Sequence, residues 1–227
     1  MSQPLVSVIV AVRNGDRFLT AALESIIDQV YSPLEIVVID GESKDATSKI
    51  AKSFKSVRYL RQMRRGIADA YNMGISEARG ELISFLSHDD LWVRSKLAVQ
   101  VSHLANHPDV EYVTGKARFF LEPGYAAPKG FRPELFEGEH IAHIMETLLA
   151  RRTLFERIGG FDATLPFGED VDWFARARDE DVPMAVIPDV LVHKRIHDQN
   201  SSMDAHTGGA LLLKLMKRSI ERKKSNS

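Results

Sequence analysis

Asp89 and Asp90 stand side by side after the apolar run Ile83–Leu86, in the order Ser87-His88-Asp89-Asp90. Adjacent carboxylates repel each other unless a cation intervenes. Hard divalent ions such as Mg²⁺ and Mn²⁺ take such oxygens and share them with substrate phosphates. Asp89 is therefore read as a metal ligand, and Asp90 in part as the cap of a helix beginning near Trp92. Asp40 follows the β-branched run Ile36–Ile39, where a carboxylate must meet a donor, a metal or a ligand hydroxyl. Glu169 and Asp170 precede apolar residues at helical spacing: Val171, Trp173, Phe174 and Ala177. Acidic residues in a first turn also complement the helix dipole, so the pattern alone leaves a structural and a catalytic reading open. Asp172 is assigned to a solvated face or a supporting position. Lys194, Arg195 and His197 follow the strand-like Val190–Val192, and a cationic cluster suits a diphosphate. His193 reads as a hydrogen-bonded core histidine.

The elements that must position these groups alternate regularly. Buried strands are expected at Leu5–Val12, Leu34–Ile39, Val57–Leu60 and Leu82–Leu86, with one or two more in Val110–Phe120. Apolar residues at helical spacing predict helices over Phe18–Val30, Ala46–Phe54, Ile67–Ala78 and Trp92–Leu104. This is an α/β chain with a mostly parallel sheet and helices on both faces, and ligands bind beyond the carboxyl ends of such strands. The ends carry Arg13-Asn14-Gly15, Asp40–Asp45 and Ser87–Asp90, so polar and acidic groups gather along one edge. Asp45, just before Ala46 and Thr47, suits a helix cap. Residues 121–145 form an irregular Gly- and Pro-containing segment, read either as part of an acceptor mouth or as a surface excursion. Ala205–Lys224 predicts an amphipathic helix with a basic end, which either docks on the domain or meets anionic lipid.

Composition bounds the classes. The chain has 227 residues, 44% hydrophobic and 27% charged, with a formal net charge of -1 and no cysteine. That balance gives no reason to expect nucleic acid as a partner. Disulfides and thiolate metal sites are excluded, which fits a reducing compartment. The longest apolar run, Leu5–Val12, is far short of the roughly 20 residues of a spanning helix, and residues 1–4 show no basic leader. A cytoplasmic location, with peripheral contact at the inner face of the membrane, is the corresponding expectation.

Taken in order, Val6–Asn14, Ile39–Thr47, Gly66–Gly74 with Ala78–Glu81, Phe85–Asp90, Gly159–Asp162 with Gly168–Asp170, and Arg195–Ser201 resemble the motif set of the inverting family 2 glycosyltransferases of the GT-A fold. The resemblance implies a nucleotide-sugar-binding half over residues 1–120. An acceptor-binding and catalytic half follows over 121–204, and a basic carboxy-terminal helix over 205–227. Val12, Asn14, Asp40, Asp69, Asn72, His88, Asp89, Arg195 and His197 would contact a UDP-, GDP- or dTDP-sugar. Asp69 also suits a helix dipole, and His88 also reads as a spectator pointing into solvent. Gly66 would let the backbone approach a ligand. Asp89 would hold Mn²⁺ or Mg²⁺, joined by His197. Asp170 would be the general base toward a glycan or lipid-linked acceptor, with Glu169 orienting the site and the two roles exchangeable. The family's metal motif is usually Asp-any-Asp. Here Ser87 takes the first position, which implies weaker metal binding. The Asn200–Ser202 turn implies a loop that folds over the donor.

Other classes fit less well. The turn after the first strand lacks the Gly-x-Gly-x-x-Gly of dinucleotide binders and the Gly-Lys-Ser/Thr of P-loop kinases. It also lacks the Gly-rich basic loop of nucleotidyltransferases. The Ser87 departure motivates one alternative, a transferase-like domain that binds nucleotide or glycan without turnover.

Overall fold

The computed structural model describes residues 3–64, 66–128, 131–198, 200 and 208–225, the last segment as backbone only at 208–214 and 224–225. The Ser201–Ser202 end of the expected donor-covering turn lies outside the described residues.

β1 (Val6–Val12), β2 (Leu34–Asp40), β3 (Val57–Arg61) and β4 (Leu82–Phe85) form a parallel block in the order β3-β2-β1-β4. Every residue of β1 and β4 is buried, which is why these segments read as continuous apolar runs rather than alternating ones. Alternate side chains serve opposite faces. Val6, Val8, Val10 and Val12 pack with α1 (Leu19–Ile27) and α4 (Lys96–Asn106). Ile9, Ala11, Val37 and Ile39 pack with α3 (Ile67–Glu77), α5 (Arg152–Ile158) and α6 (Glu169–Asp179), around the fully buried Trp173. α2 (Thr47–Ser53) follows the acidic loop after β2, and Asp45 Oδ1 accepts the Thr47 amide at 3.0 Å, as expected of a cap.

Beyond β4 the sheet is mixed. β8 (Leu149–Arg151) pairs antiparallel with β4 and with β6 (Tyr112–Leu121). β6 runs parallel to the long β9 (Met184–Ile196), and β5 (Leu91–Trp92) closes the order antiparallel to β9. Within residues 121–145, a 3₁₀ turn at Pro133–Phe136 precedes β7 (His140–Ala142), which pairs with β6.

Two expectations change here. Leu91 and Trp92 are strand, not the opening of a helix, and α4 begins at Lys96. The Val93 amide donates to Leu191 O at 2.9 Å and the Trp92 indole to Glu146 O at 3.0 Å, so tertiary pairing overrides the helical spacing. Lys96 is fully buried; its Nζ donates to Ser84 Oγ and Gln100 Oε1, both at 2.8 Å, and burial drives its pKa well below the usual range. Asp172 lies on no solvated face. It is buried and bonded to Arg176 Nε at 2.8 Å.

α7 (Gly208–Ser225) rests on α6. Leu215 is buried, Ser219 Oγ donates to Asp179 Oδ1 at 2.7 Å, and the Arg222 guanidinium pairs with Asp179 Oδ2 at 2.9 Å. Arg218 reaches Asp162 at 2.7 Å. Basic residues of the helix thus meet carboxylates of the domain. Each hydrogen bond to a charged group contributes about 1.5–3 kcal/mol. Asp179→Ala is expected to lower stability by about 2–3 kcal/mol in urea unfolding. An unchanged midpoint and slope would show that α7 does not rest on this anchor.

Candidate functional site

The acidic turn hangs between two ladders. Leu91 pairs with His193 and Trp92 with Val192, so one step back along the same antiparallel register Asp90 faces Lys194. Asp90 is fully buried; Lys194 Nζ donates to Oδ2 at 2.6 Å and the Arg195 amide to Oδ1 at 2.9 Å. The capping role expected of Asp90 is therefore not found, because its carboxylate is held by β9 and the helix begins six residues later. Burial raises the Asp90 pKa against the pull of Lys194. Burial pushes Lys194 down, but Asp90 and Glu146 overcome it and keep the ammonium charged well above its ordinary range.

Asp89 turns the other way. His197 Nε2 lies 3.1 Å from its Oδ2, and Asn200 Nδ2 donates to the same oxygen at 3.2 Å. Burial pushes this carboxyl up, but the His197 hydrogen bond and the Lys194 charge prevail and hold it well below the usual carboxylate range. The His197 ring packs on Phe18 with centroids 4.8 Å apart. Arg195 lies over the same Phe18 ring at 4.7 Å and over Phe120 at 4.9 Å, and it pairs with Glu122. Its Nε donates to Asp89 O at 2.8 Å. The guanidinium expected at a diphosphate therefore braces the Asp89 main chain. His88 is half-buried, not solvent-directed. Its ring covers Gly15, where an added Cβ would come 3.0 Å from the imidazole Cγ. Burial lowers its pKa.

The nucleotide-side candidates form an interlocked rim. Val12 pairs with Asp40 in the β1–β2 register. Asp40 is buried, and its oxygens already have protein donors. Oδ1 accepts the Ser43 amide at 2.9 Å and hydroxyl at 2.6 Å, and Oδ2 accepts the Tyr59 hydroxyl at 2.7 Å. Burial and the Asp40 contact push the Tyr59 pKa up to about 12. Asn14 adopts φ 51° and clasps the same loop, its amide donating to Ser43 Oγ at 2.8 Å and its Oδ1 accepting the Lys44 amide at 2.9 Å. Asp69 is half-buried in the first turn of α3, which opens at Gly66 with φ 111°.

Asn72 is committed elsewhere. Its Nδ2 donates to Phe161 O at 2.8 Å and its Oδ1 accepts the Phe161 amide at 2.7 Å. From the other side Arg176 donates to the carbonyls of Ile158 and Gly160, each at 2.5 Å. The Gly159–Asp162 segment thereby ties α3 to the helix that carries Glu169 and Asp170. Those two residues are half-buried and follow Gly168, whose φ of 74° favours glycine. Burial, then the neighbouring Asp170, pushes Glu169 up to about 7. Burial likewise raises Asp170, although its Oδ1 accepts the Val171 amide at 2.7 Å.

Glu146 escaped the sequence reading. It sits in the 3₁₀ turn Met145–Thr147 before β8. Ser84 pairs with Leu149 at the end of the β4–β8 ladder, and the turns just beyond it carry Ser87 and Glu146. The Ser87 hydroxyl donates to Glu146 Oε1, and Lys194 Nζ donates to the same oxygen at 3.0 Å. Burial pushes this carboxyl up, but Lys194 and Ser87 hold it below its ordinary range. The available signal was one carboxylate inside the apolar stretch Ile144–Ala150, which must find a partner.

Asp89 and His197 offer an ionised oxygen and an imidazole nitrogen 3.1 Å apart, a donor pair that fits a divalent ion. Among the described residues, no group of three or more His, Asp or Glu is placed to hold an ion by itself. The remaining positions of such an ion would fall to ligand oxygens and water, as is usual for Mg²⁺.

Comparison with known proteins agrees with this architecture. Residues 7–164 match the family model described as glycosyl transferase family 2. An uncharacterized glycosyltransferase of Rickettsia typhi is 34% identical over 216 residues, covering 89% of this chain and 67% of the relative. Staphylococcus aureus TarS in complex with UDP-GlcNAc superposes with a TM-score of 0.75 at 18% identity, over 96% of this chain and 66% of that one. The mannosyltransferase PcManGT of Pyrobaculum calidifontis, in complex with GDP-Man and Mn²⁺, gives 0.69 at 24% identity, over 88% of this chain and 59% of that one. At these identities the two solved structures establish the GT-A fold alone, and the matched motif segments establish the rest: the chain belongs to glycosyltransferase family 2.

Proposed function

We propose that the chain transfers a sugar from a nucleoside-diphosphate donor to an acceptor hydroxyl with inversion at the anomeric carbon. The observation that carries this reading is that two carboxylate groups share one cationic neighbour. Asp89, ionised beside His197, lies in the acidic turn, and Glu169 with Asp170, both raised by burial, opens α6. The Lys194 charge acts on Asp89 and on Asp170, and Glu146, paired with Lys194, acts on Glu169 and Asp170.

In this reading, Asp89 and His197 hold Mn²⁺ or Mg²⁺, which when bound offsets the negative charge on the diphosphate. Val12, Asn14 and the Asp40-supported loop form the nucleoside rim, with Asp69 on the opposite wall. UDP, GDP and dTDP donors all suit this rim; the UDP-GlcNAc and GDP-Man of the two structural neighbours are the first to try. The acceptor hydroxyl, on a glycan or a lipid-linked glycan, attacks the anomeric carbon while its proton passes to Asp170. The bond to the diphosphate oxygen breaks on the opposite face. A single displacement needs no covalent enzyme intermediate. Glu169 orients the acceptor. A base with a raised pKa is better matched to neutral pH than an ordinary carboxylate.

Four outcomes test this. Thermal-shift screening of UDP-, GDP- and dTDP-sugars with and without Mn²⁺ should reveal a donor whose stabilisation depends on the ion. Asp89→Asn should abolish the ion-dependent part of that shift; an unchanged metal response would refute the metal assignment. Asp170→Asn should keep donor binding and lower kcat by about 10²–10⁴-fold, the range for a lost general base. Near-normal turnover would remove the base role. Burial raises both carboxyls of the Glu169–Asp170 pair, so kcat/KM should rise as pH climbs above the ordinary carboxylate range and then level once the pair has ionised. A profile flat between pH 5 and 8 would contradict a base drawn from this pair.

A further inference from the structure

We infer that Glu146, oriented by Ser87 and Lys194, binds hydroxyl groups of the donor's transferred sugar and takes over the carboxylate position that the acidic turn lacks at Ser87. This rests on the transferase reading and names a contact within it.

The geometry is set by two turns that leave neighbouring strands. Ser87 follows β4 and Glu146 precedes β8, the strand paired with β4, and the Ser87 hydroxyl donates to Glu146 Oε1. Ser87 therefore stands where the family's turn usually presents a carboxylate, and the residue it contacts supplies one. Among the described residues, the side-chain donors to the Glu146 carboxylate, the Ser87 hydroxyl and Lys194 Nζ at 3.0 Å, both meet Oε1. Its backbone is anchored separately, through the indole of Trp92 at 3.0 Å. A charged side chain that is 8% exposed, with its main chain pinned and one oxygen oriented by two donors, is pre-organised to accept from a ligand through the other oxygen.

Its position along the reaction path follows from its neighbours. On one side it shares Lys194 with Asp90, next to the proposed diphosphate and ion site at Asp89. On the other its charge is felt by Glu169 and Asp170, the proposed acceptor-activating pair. The transferred sugar must lie between its leaving diphosphate and its incoming acceptor, and Glu146 is the carboxylate whose neighbours belong to both groups. Ionised carboxylates accept sugar hydroxyls by charge-assisted hydrogen bonds, which are stronger than neutral ones.

The discriminating measurement compares ligands with and without the sugar. Calorimetric titration in Mn²⁺ would use UDP, GDP, UDP-glucose, UDP-GlcNAc and GDP-mannose on the full chain, wild type and Glu146→Gln. Glu146→Gln should keep the affinity for the free nucleoside diphosphate within about twofold and lose about tenfold or more for the corresponding nucleotide sugar. Retained diphosphate binding also certifies the fold of the variant. Ser87→Ala, which removes the orienting hydroxyl but no charge, should move in the same direction by less. Equal donor binding by wild type and Glu146→Gln overturns the inference, and so does a loss shared equally by diphosphate and nucleotide sugar, which would mark Glu146 as structural. A wild type that binds none of these ligands, nor dTDP and dTDP-sugars in the same titration, refutes the transferase reading itself, a result distinct from the others.

Discussion

The site depends on one half-buried cation, Lys194. Lys194 Nζ lies 2.6 Å from Asp90 and 3.0 Å from Glu146, so a single ammonium joins the acidic turn after β4, the 3₁₀ turn before β8 and the end of β9. Removing charges from water is expensive, and an ion pair inside a protein is held only when geometry and further hydrogen bonds compensate. Here the compensation is explicit: the Arg195 amide completes Asp90 and the Ser87 hydroxyl supports Glu146. An uncompensated buried charge costs about 3–5 kcal/mol when its partner is lost. The turn is therefore held in one position, and Asp89, which lies one residue away, inherits that rigidity while its own carboxylate faces the half-exposed side.

A second constraint joins the halves of the chain. Asn72 on α3 and Arg176 on α6 take opposite sides of the Gly159–Phe161 main chain. Gly160 is required by this close approach, because a side chain there would collide with the Asn72 amide. The consequence is functional rather than merely architectural. The helix that carries Glu169 and Asp170 is registered against α3, whose first turn carries Asp69, and through α3 against the β1–β2 rim. The spacing between the Glu169–Asp170 pair and the β1–β2 rim is thereby fixed, which the proposed transfer requires.

The parallel block was legible because its strands are buried on both faces and its helices on one, and these two periods differ. The edge at the ends of β1, β2 and β4 followed from that, and with it Asp40, Asp89 and the rim. What stayed hidden has a common physical cause. β9 runs thirteen residues, but its burial follows no simple alternation and it passes through Pro188, so only Val190–Val192 looked like strand. β5 has two residues and borrows its stability from β9, the Glu146 carbonyl and Ser25 of α1. Glu146 and the Asp90–Lys194 pair exist through antiparallel registers between segments far apart in sequence, and no local pattern encodes a register of that kind.

The same registers change the meaning of Ser87. Considered alone, a serine in place of the usual aspartate suggests a weakened metal turn. In the folded chain that position faces Glu146 directly, with Asp90 and Asp89 close behind and Lys194 as the adjoining cation. A carboxylate at 87 would bring a second anion into contact with Glu146, and like charges at that distance in a buried setting cannot both ionise without a further cation. A hydroxyl instead donates to Glu146 and keeps it charged. The departure at 87 and the carboxylate at 146 are therefore two sides of one choice: this chain presents an acidic group from the turn before β8, and on the turn after β4 Asp90 is taken by Lys194 while Asp89 turns to His197.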